Sequence, residues 1–345
     1  MKSKFSLSLA LLIISGMLVQ ATGTEYTKNI RKGWAKSGVT ELKVTNKFGE
    51  VKINDTGGDS VTIKVVVTID NPSSSKAKAL MDKISVSFDK SGGLVSAETE
   101  IEDGFRNNES FTIDYLVNIP KDRDLNITNK YGNVIVNELD AKGYFEVSYG
   151  SMTAGNMKAP AGNPVKLIVN YGKANLESIN EADMELKYSQ MVADEIDQLI
   201  LDTKYSTVTM HKNANLTLDS KYDGNNIDEL GKLKSVSKYT NYKIGVLNES
   251  FDLDTGYGSV RINKVSEKFN RIRIENSYGG INIALNDLNY KLQAECSYCD
   301  VKYPENRYKG NRIKENNSFN LEGNIGAGGG FVSINSRYGG IKLTE

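Results

Sequence analysis

The chain has 345 residues, and its 43 Lys and Arg balance 43 Asp and Glu. This balance excludes a net field that would draw the protein to nucleic acid or to an acidic membrane surface. The length suits two domains or one elongated repeat array, and 31 Gly against 5 Pro indicates flexible corners without proline-rich linkers.

Residues 1–21 have the pattern of a secretory signal peptide. Two lysines precede an apolar run from Phe5 to Val19, and cleavage is expected after Ala21. The run is short and interrupted by serine, which disfavours a spanning helix, and we expect no transmembrane segment elsewhere. The mature protein is therefore predicted to be exported, either to the periplasm or to the cell surface.

Residues 22–130 are predicted to form a β-rich section ahead of a repeat. One copy of the repeat, "ELKVTNKFGEVKIND", surrounds Phe48, but the next aromatic residue of the series, Tyr131, follows 83 positions later. Alternating, strand-like runs fill the interval, and residues 73–84 are typical of one short, Ser-capped helix. We expect this section to cover the first rungs, because an uncovered rung is an open sheet edge.

Over residues 131–345 an aromatic residue returns at a near-constant interval. The intervals are 18, 22, 17, 17, 17, 17, 18, 21, 20 and 40, and Phe319, near the middle of the last one, is interpreted as a degenerate copy. The positions are Tyr131, Tyr149, Tyr171, Tyr188, Tyr205, Tyr222, Tyr239, Tyr257, Tyr278, Tyr298 and Tyr338. A fixed period of this size indicates a solenoid.

Each period has room for two short strands. Apolar residues lie six and four positions before the ring, as Leu216 and Leu218 do before Tyr222, with a small polar residue two before. Counting by twos places them on one strand face together with the ring. Apolar residues then follow at the opposite parity, which predicts a corner at the Gly that often comes after the ring, because Gly tolerates positive φ. No crossover helix fits. We predict an all-β fold, a parallel β-solenoid with rungs of 17–22 residues.

Stacked rungs would place the aromatic rings in a column at one corner, about 4.8 Å apart. Phe48 and Phe319 are assigned to the same slot as the tyrosines, which indicates that the ring matters and the hydroxyl does not. We interpret the column as structural. The alternative is an exposed aromatic strip that binds sugars or other ligands.

These motifs together resemble a known family. "TNKFGEVKIND", a Ser-capped helix before "ISVSFD", "VNIPKDRDLNITNKYGNVIVNEL" and the recurring Tyr-Gly rungs resemble the bacterial putative-adhesin domain family of Bacteroidetes. The resemblance covers almost all of the mature chain and is carried mostly by residues 46–49 and 129–132. It implies an exported β-solenoid with no established enzymatic activity, and it supplies no functional residues.

Few residues offer chemistry, and we expect no catalytic residues, no cofactor and no metal site. His211 is the only histidine and is predicted to face solvent, without a partner that would make it a base or a ligand. No nucleophile motif such as GxSxG accompanies it. Asp202 and Asp219 share an outward slot three positions before the ring. Lys204 and Lys221 follow on the same face, which predicts surface ion pairs rather than a catalytic cluster.

Cys296 and Cys299 flank Tyr298, and no second ligand pair for zinc accompanies them. Export favours a disulfide, and a corner would bring the two residues close enough to bridge. A local disulfide and two packed free thiols both remain open.

A lysine precedes the aromatic residue in four successive rungs, at Lys187, Lys204, Lys221 and Lys238. One interpretation is a solvated face that protects against edge pairing. The other is a basic strip that contacts an anionic polymer, such as acidic polysaccharide, or lipid headgroups.

Two functions follow from these patterns. The favoured one is a non-catalytic exported envelope protein, adhesin-like or structural, whose partner is an anionic polysaccharide or another envelope component. The alternative is a carbohydrate-active β-helical enzyme, a lyase or hydrolase acting on acidic polysaccharide, which would need clustered acid–base groups in a cleft. The chain stops at "SRYGGIKLTE", within a rung. We therefore expect either the loop at 323–330 or a second copy to cover that rung, the latter in an end-to-end homodimer.

Overall fold

The computed structural model describes residues 24–102 and 110–345. The signal peptide predicted at residues 1–21 lies outside them. The described residues form two compact units, the first extending to Asn163 and the second beginning at Pro164.

The first unit consists mainly of strands. Its helices are α1 (Ser74–Asp82) and a single 3₁₀ turn at Lys36–Gly38. Its strands are β1 (Glu25–Ala35), β2 (Glu41–Lys47), β3 (Val51–Asn54), β4 (Ser60–Asp70), β5 (Ile84–Ser91), β6 (Leu94–Ile101), β7 (Ser110–Asn118), β8 (Asp124–Lys130), β9 (Val134–Leu139), β10 (Gly143–Ser148) and β11 (Ser151–Met157).

The first rung is β2 and β3, joined at Phe48, and the second rung is β8 and β9. The two rungs pair in parallel on both strands, with Leu42 opposite Leu125 and Val51 opposite Val134. The third rung, β10 and β11, continues the same parallel pairing. The residues between β3 and β8 are therefore a long insertion between two consecutive rungs.

This insertion flanks the first rung on its outer side. β6 pairs with β2 and β7 pairs with β3, both in parallel, and antiparallel strands follow outward, β5 on β6 and β4 then β1 on β7. The helix predicted at 73–84 is α1, which buries Ala77 and Met81 against the neighbouring strands. Ser73 stands at the predicted N-cap, but its side chain makes no capping hydrogen bond to the helix backbone; its Oγ lies 3.1 Å from Ser75 Oγ instead. The predicted N-terminal β section with one short helix is confirmed.

The second unit is built from the remaining strands and one 3₁₀ turn at Glu305–Arg307. The strands are β12 (Val165–Asn170), β13 (Lys173–Lys187), β14 (Gln190–Lys204), β15 (Thr207–Lys221), β16 (Gly224–Lys238), β17 (Asn241–Gly256), β18 (Val260–Val265), β19 (Arg271–Ser277), β20 (Ile281–Ala284), β21 (Tyr290–Ser297), β22 (Val301–Lys302), β23 (Tyr308–Glu315), β24 (Ser318–Ile325), β25 (Gly330–Arg337) and β26 (Ile341–Thr344).

The predicted parallel β-solenoid is confirmed, and its central rungs are more continuous than two short strands. β13 to β16 are each 15 residues long and pair with their neighbours in parallel. In β15 the buried positions change from every second residue to every third, at Met210, Asn213 and Leu216. The strand bends there: the parallel pairing skips His211 and Ala214 and continues in the same register on either side of them. Inward Leu, Ile and Met side chains form the core, and each fully buried one contributes about 1.5–3 kcal/mol.

The corner of each rung differs from the prediction, because the residue with positive φ is the aromatic residue and not the Gly. Phe48 and the eleven tyrosines of the repeat have φ between 51° and 64°. The left-handed conformation costs a non-Gly residue roughly 1–2 kcal/mol. It also turns the ring away from the buried face on which counting by twos placed it, so the prediction of an inward ring is wrong.

Where Gly follows the ring, it is needed for another reason, the close approach of neighbouring rungs. A Cβ on Gly132 would lie 1.9 Å from the carbonyl oxygen of Gly49, and a Cβ on Gly279 would lie 1.6 Å from that of Gly258. The polar residue two before the ring stabilises the same corner from inside. Asn129 donates from Nδ2 to the carbonyl oxygen of Gly49, at 2.8 Å.

The C-terminal rung does not lie at the end of the rung order. β25 pairs in parallel with both β19 and β21, and β26 pairs with both β20 and β22, so the last rung is inserted between two earlier ones. β24 then pairs antiparallel with β21, and β23 pairs antiparallel with β24. Lys314 of β23 is held to Asp300 at 2.8 Å.

Two expectations about this end are therefore wrong. Phe319 is not a degenerate copy of the corner aromatic, because it lies buried within β24, opposite Cys296 in an antiparallel pair. The last rung is not uncovered either, since it has a strand on each side, and residues 326–329 lead into it instead of covering it. The end-to-end homodimer was expected because the last rung would otherwise be uncovered. That reason no longer applies, and the homodimer stays a prediction.

Neither α1 nor any other helix of the described residues has the length and apolarity that crossing a membrane requires.

The two adjacent glycines at the corner of the Tyr278 rung provide a test of the close approach. Gly279→Ala should lower the free energy of unfolding by about 2 kcal/mol or more, because the neighbouring carbonyl leaves no room for a methyl group. Gly280→Ala is the matched control, with no atom within 4 Å of its added Cβ, and should change stability by less than about 0.5 kcal/mol. Urea unfolding followed by circular dichroism measures both; equal effects would contradict this account.

Candidate functional site

The tyrosines of the second unit stack into one continuous column. Adjacent ring centroids are 4.7–5.0 Å apart and the ring planes are within 18° of parallel. We call this set the tyrosine column; in spatial order it is Tyr171, Tyr188, Tyr205, Tyr222, Tyr239, Tyr257, Tyr278, Tyr338 and Tyr298. In the first unit Phe48, Tyr131 and Tyr149 stack in the same way, with centroids 5.1 Å apart.

Backbone hydrogen bonds and ring contacts together hold the left-handed corner. Tyr188 and Tyr205 each donate their N–H to the carbonyl oxygen of the lysine in the next rung, at 3.0 Å. Each aromatic pair adds about 0.5–1.5 kcal/mol beyond its buried area, which is similar in size to the cost of the left-handed conformation. The column therefore has the structural role predicted for it.

The tyrosine column is nevertheless half exposed, with 41–54% of each residue accessible. Because each interior ring is covered on both faces by its neighbours, only the ring edges and hydroxyls face solvent. Binding a sugar against an aromatic ring uses the face, and this face is occupied along the column. At one end, Tyr298 has a ring neighbour on one side, Tyr338. The exposed column is thus a row of hydroxyls, and not a set of open stacking platforms.

The four predicted lysines lie in register on adjacent strands and are exposed. Lys187 is opposite Lys204, Lys204 opposite Lys221, and Lys221 opposite Lys238. We call this set the lysine row. Lys204 Nζ lies 5.5 Å from the centroid of the Tyr205 ring, a distance at which ammonium and ring attract each other. The structure therefore places the lysine row directly beside the tyrosine column.

A row of carboxylates runs parallel to the lysine row. Glu185, Asp202 and Asp219 are in register, and we call them the acidic row. Asp202 and Asp219 were predicted from the repeat and Glu185 was not, although Glu185 also stands three positions before a repeat tyrosine. Lys221 pairs with Asp219 at 3.1 Å, and Lys187 pairs with Glu185. The predicted surface ion pairing therefore occurs within a rung, in two of the rungs.

Asp202 is the carboxylate of this row with a perturbed pKa. Partial burial, followed by repulsion from Asp219 and Glu185, raises the pKa of the Asp202 carboxyl above its ordinary value. Ionisation of Asp202 is therefore less favourable in the folded chain than in the unfolded one.

His211 has a partner, contrary to the expectation that it would have none. Its Nδ1 lies 3.2 Å from Asp228 Oδ2, and both side chains are largely exposed. An exposed pair of this kind contributes little to stability, and no nucleophile accompanies it in the described hydrogen bonds.

Asp223 is a buried carboxylate that the sequence pattern did not predict, and its role is structural. It follows Tyr222 and accepts hydrogen bonds from the hydroxyls of Thr203 and Ser220, both at 2.7 Å, and from the N–H groups of Ser206 and Lys221, at 2.6 and 2.7 Å. Four donors satisfy the carboxylate away from solvent. The corner slot, which holds Gly in several other rungs, here connects neighbouring rungs through hydrogen bonds.

Cys296 and Cys299 lie on either side of the Tyr298 corner, with Cα atoms 5.4 Å apart, and the structure joins their sulfurs in a disulfide. Cys296 is buried and stands opposite Ser336, so it occupies the small polar slot. In residues 24–102 and 110–345 there is no cluster of three His, Cys, Asp or Glu side chains placed to hold a metal ion.

Comparison with known proteins gives a family. A family model, Toastrack DUF4097, matches residues 39–344. The chain belongs to this family. The resemblance to adhesin-type β-solenoids drawn from the motifs is thereby confirmed, and the Toastrack family leaves the function open. No curated protein matches the sequence.

Several solved structures are similar to this Toastrack protein. A "putative adhesin" from Parabacteroides distasonis is 12% identical, with 74% of this chain and 93% of that chain covered and a TM-score of 0.39. A "putative cell adhesion protein" from Clostridium sporogenes is 10% identical, with 92% and 99% covered and a TM-score of 0.21. A "putative lipid binding protein" from P. distasonis is 11% identical, with 92% and 97% covered and a TM-score of 0.26. Likeness at this level carries no information about ligand or activity.

Asp202→Asn should stabilise the protein at neutral pH. A raised carboxyl pKa means that the penalty for ionisation is present above that pKa and is lost as the pH falls below the ordinary value. The gain in free energy of unfolding should be below about 1 kcal/mol, because the group is largely solvated, and it should vanish in acid. Asp252→Asn is the control: Asp252 is paired with Arg273 at 2.8 Å, so its loss should not stabilise. Urea unfolding across pH measures both, and a gain that grows in acid would contradict the assignment.

The disulfide predicts the alkylation pattern of the denatured protein. Without reductant no cysteine should be modified, and after reduction both should be. In the Cys296→Ser variant, Cys299 should react without reductant, which controls for reagent access. Intact mass reports each state. Two modified cysteines in the unreduced natural sequence would show free thiols instead.

Proposed function

We propose that this Toastrack protein is a non-catalytic, exported envelope protein that binds a linear acidic polysaccharide along the lysine row and the hydroxyl edge of the tyrosine column. The observation that carries the proposal is the register of Lys187, Lys204, Lys221 and Lys238 on adjacent strands. Export rests on the signal peptide expected at residues 1–21, with the periplasm or the cell surface as the destination.

The spacing of the surface supports a polymeric ligand. Cations and hydroxyls repeat at the separation of the rungs, about 4.8 Å, so a linear chain of regularly spaced acidic groups meets the same contacts in each rung. Each contact is weak because it is exposed and screened by salt. Several contacts on one polymer act together, since later ones form at high effective concentration.

The ion pairs that members of the lysine row already form limit how strongly the row binds an acidic polymer. Lys187 and Lys221 are paired with carboxylates of the acidic row. Within the described residues Lys204 and Lys238 form no ion pair, so they are the cations most available to a ligand. Binding should therefore be modest in affinity and should weaken steeply as ionic strength rises.

One observation favours an enzyme as the second candidate. The acidic row places three carboxylates on successive rungs, and the pKa of Asp202 is raised, which is a property of general acids in glycosidases. The row lies on an exposed face, however, and neither of the two surface depressions described for the molecule is lined by it. A non-catalytic surface accounts for this geometry more simply than a hydrolase or lyase does.

Replacing all four lysines of the row with Gln should reduce retention on polygalacturonate and dextran sulfate by at least about tenfold at low salt, because each lost cation removes a screened but additive attraction. The control replaces four exposed lysines elsewhere, Lys264, Lys268, Lys291 and Lys309, with Gln, which changes the net charge equally. Affinity electrophoresis in gels containing each polymer, with neutral dextran as reference, measures retention.

The same panel tests the alternative, because polymer length is followed by size-exclusion chromatography after incubation. Shortening of an acidic polymer that Asp202→Asn abolishes would establish the enzyme instead. Retention unchanged in the lysine-row variant, or lost equally in the control, would refute the lysine row as the contact.

A further inference from the structure

A second row of basic residues runs along the other side of the tyrosine column. It stands four positions after the corner tyrosine. Lys243 is opposite Arg261, Arg261 opposite Asn282, and Asn282 opposite Lys342. These four residues lie on four strands that are consecutive in the spatial order. Three of the four strands thus carry an exposed cation at this position of the rung.

These cations are less paired than the lysine row, in which Lys187 and Lys221 have a carboxylate partner and Lys204 and Lys238 have none among the described residues. Lys187 and Lys221 pair with the acidic row, whereas none of Lys243, Arg261 and Lys342 forms an ion pair with any described residue. The next outward slot along the strands is uncharged at Asn263, Ala284 and Thr344. Asp228 lines a second depression together with Lys243 and Asn263, so the positive charge has a carboxylate nearby at Lys243 and none among the residues that line the depression at Arg261 and Lys342.

The surface is also indented at this point. A depression of about 240 Å³ is lined by Arg261, Asn263, Asn282, Lys342 and Thr344, together with strand residues. No carboxylate lines it. Gly280 and Gly340 lie at the corner next to it; a Cβ on Gly280 would have no atom within 4 Å, and one on Gly340 only a carbonyl oxygen at 3.8 Å. The absence of side chains at these two glycines leaves the depression open towards the tyrosine column.

We propose that Lys243, Arg261, Asn263, Asn282 and Lys342, the cationic patch, bind a carboxylate- or sulfate-bearing sugar unit of an acidic polysaccharide. The patch is a site separate from the lysine row, and the polymeric nature of its ligand rests on the proposed function. The Arg261 guanidinium supplies a planar fork that matches a carboxylate or sulfate. The Asn263 and Asn282 amides can donate to the same group and accept from sugar hydroxyls.

The size of the depression fits one unit and not a whole oligosaccharide. Pockets for drug-sized molecules are about 300–1,000 Å³, and this depression is smaller. The remainder of the chain would continue over the tyrosine hydroxyls towards the lysine row. The patch therefore fixes the position of one acidic unit, and the lysine row adds repeated weaker contacts.

The experiment compares two kinds of variant with a matched control. Arg261→Gln/Lys342→Gln removes two cations. Gly280→Glu places a carboxylate beside the patch, where the structure has room for it, and Gly280→Gln places an uncharged side chain of the same size there. Isothermal titration at low salt uses polygalacturonate and dextran sulfate as probes, neutral dextran as reference, and phosphatidylglycerol vesicles as the lipid arm.

Both Arg261→Gln/Lys342→Gln and Gly280→Glu should weaken binding of at least one acidic polymer about tenfold, and Gly280→Gln, which adds the same bulk without charge, should weaken it less than Gly280→Glu does. Vesicle binding should be weak and unaffected. Unchanged polymer affinity in Arg261→Gln/Lys342→Gln would overturn the proposal, as would equal losses in Gly280→Gln and Gly280→Glu, which would show that charge plays no part in binding here. Vesicle binding that depends on Arg261 would assign the patch to lipid headgroups and overturn it as well.

The two proposals fail in different ways. Binding lost in the lysine-row variant but intact in the patch variants leaves the proposed function standing and removes the cationic patch. Binding lost in the patch variants but intact in the lysine-row variant supports the patch and removes the lysine row. A natural protein that binds no acidic polymer overturns both.

Discussion

The structure depends on one constraint, the left-handed backbone at an aromatic residue in every rung. This conformation is unfavourable for a side chain with a Cβ, and it is retained because the ring then stacks on the rings above and below. Each rung therefore stabilises the corner of its neighbours as much as its own. A buried polar side chain, such as Asn129 or Asp223, satisfies backbone groups at the same corner. The repeat interval varies from rung to rung, but the corner does not.

The same constraint determines the chemistry of the surface. Because the corners of successive rungs lie above one another, residues that stand the same number of positions from the corner also lie above one another. The outward face is therefore a set of parallel rows, each made of side chains from one position of the repeat. A row can hold cations, carboxylates or hydroxyls, and neighbouring rows can neutralise each other, as the lysine row and the acidic row do in part. Recognition by such a surface depends on matching of repeat and charge along a line, and not on enclosure in a pocket.

The sequence predicted the fold well because its strongest signal, the aromatic period, is itself the main structural interaction. Lys187 to Lys238 were placed correctly because a constant 17-residue interval fixes register. The left-handed residue was misassigned to Gly, since Gly is the usual choice for positive φ and the ring's stacking compensation is a tertiary effect. Phe319 was misread because nothing local distinguishes a corner aromatic from one within an antiparallel strand. The row that begins at Lys243 was missed because irregular intervals and one Asn interrupt it.

The insertion of β25 and β26 between earlier rungs has a consequence for how the chain assembles. Strands β19 and β21 adjoin the same partner, which lies more than thirty residues beyond β21 in the sequence. During synthesis or export the facing edges of β19 and β21 therefore stay unpaired until residues 330–344 are available. The two antiparallel strands outside β21 can cover one side in the meantime, but the gap towards β19 closes last. This part of the molecule can therefore fold completely only when its final strands are present. A prematurely shortened chain has two unpaired sheet edges that a protease or a chaperone can bind.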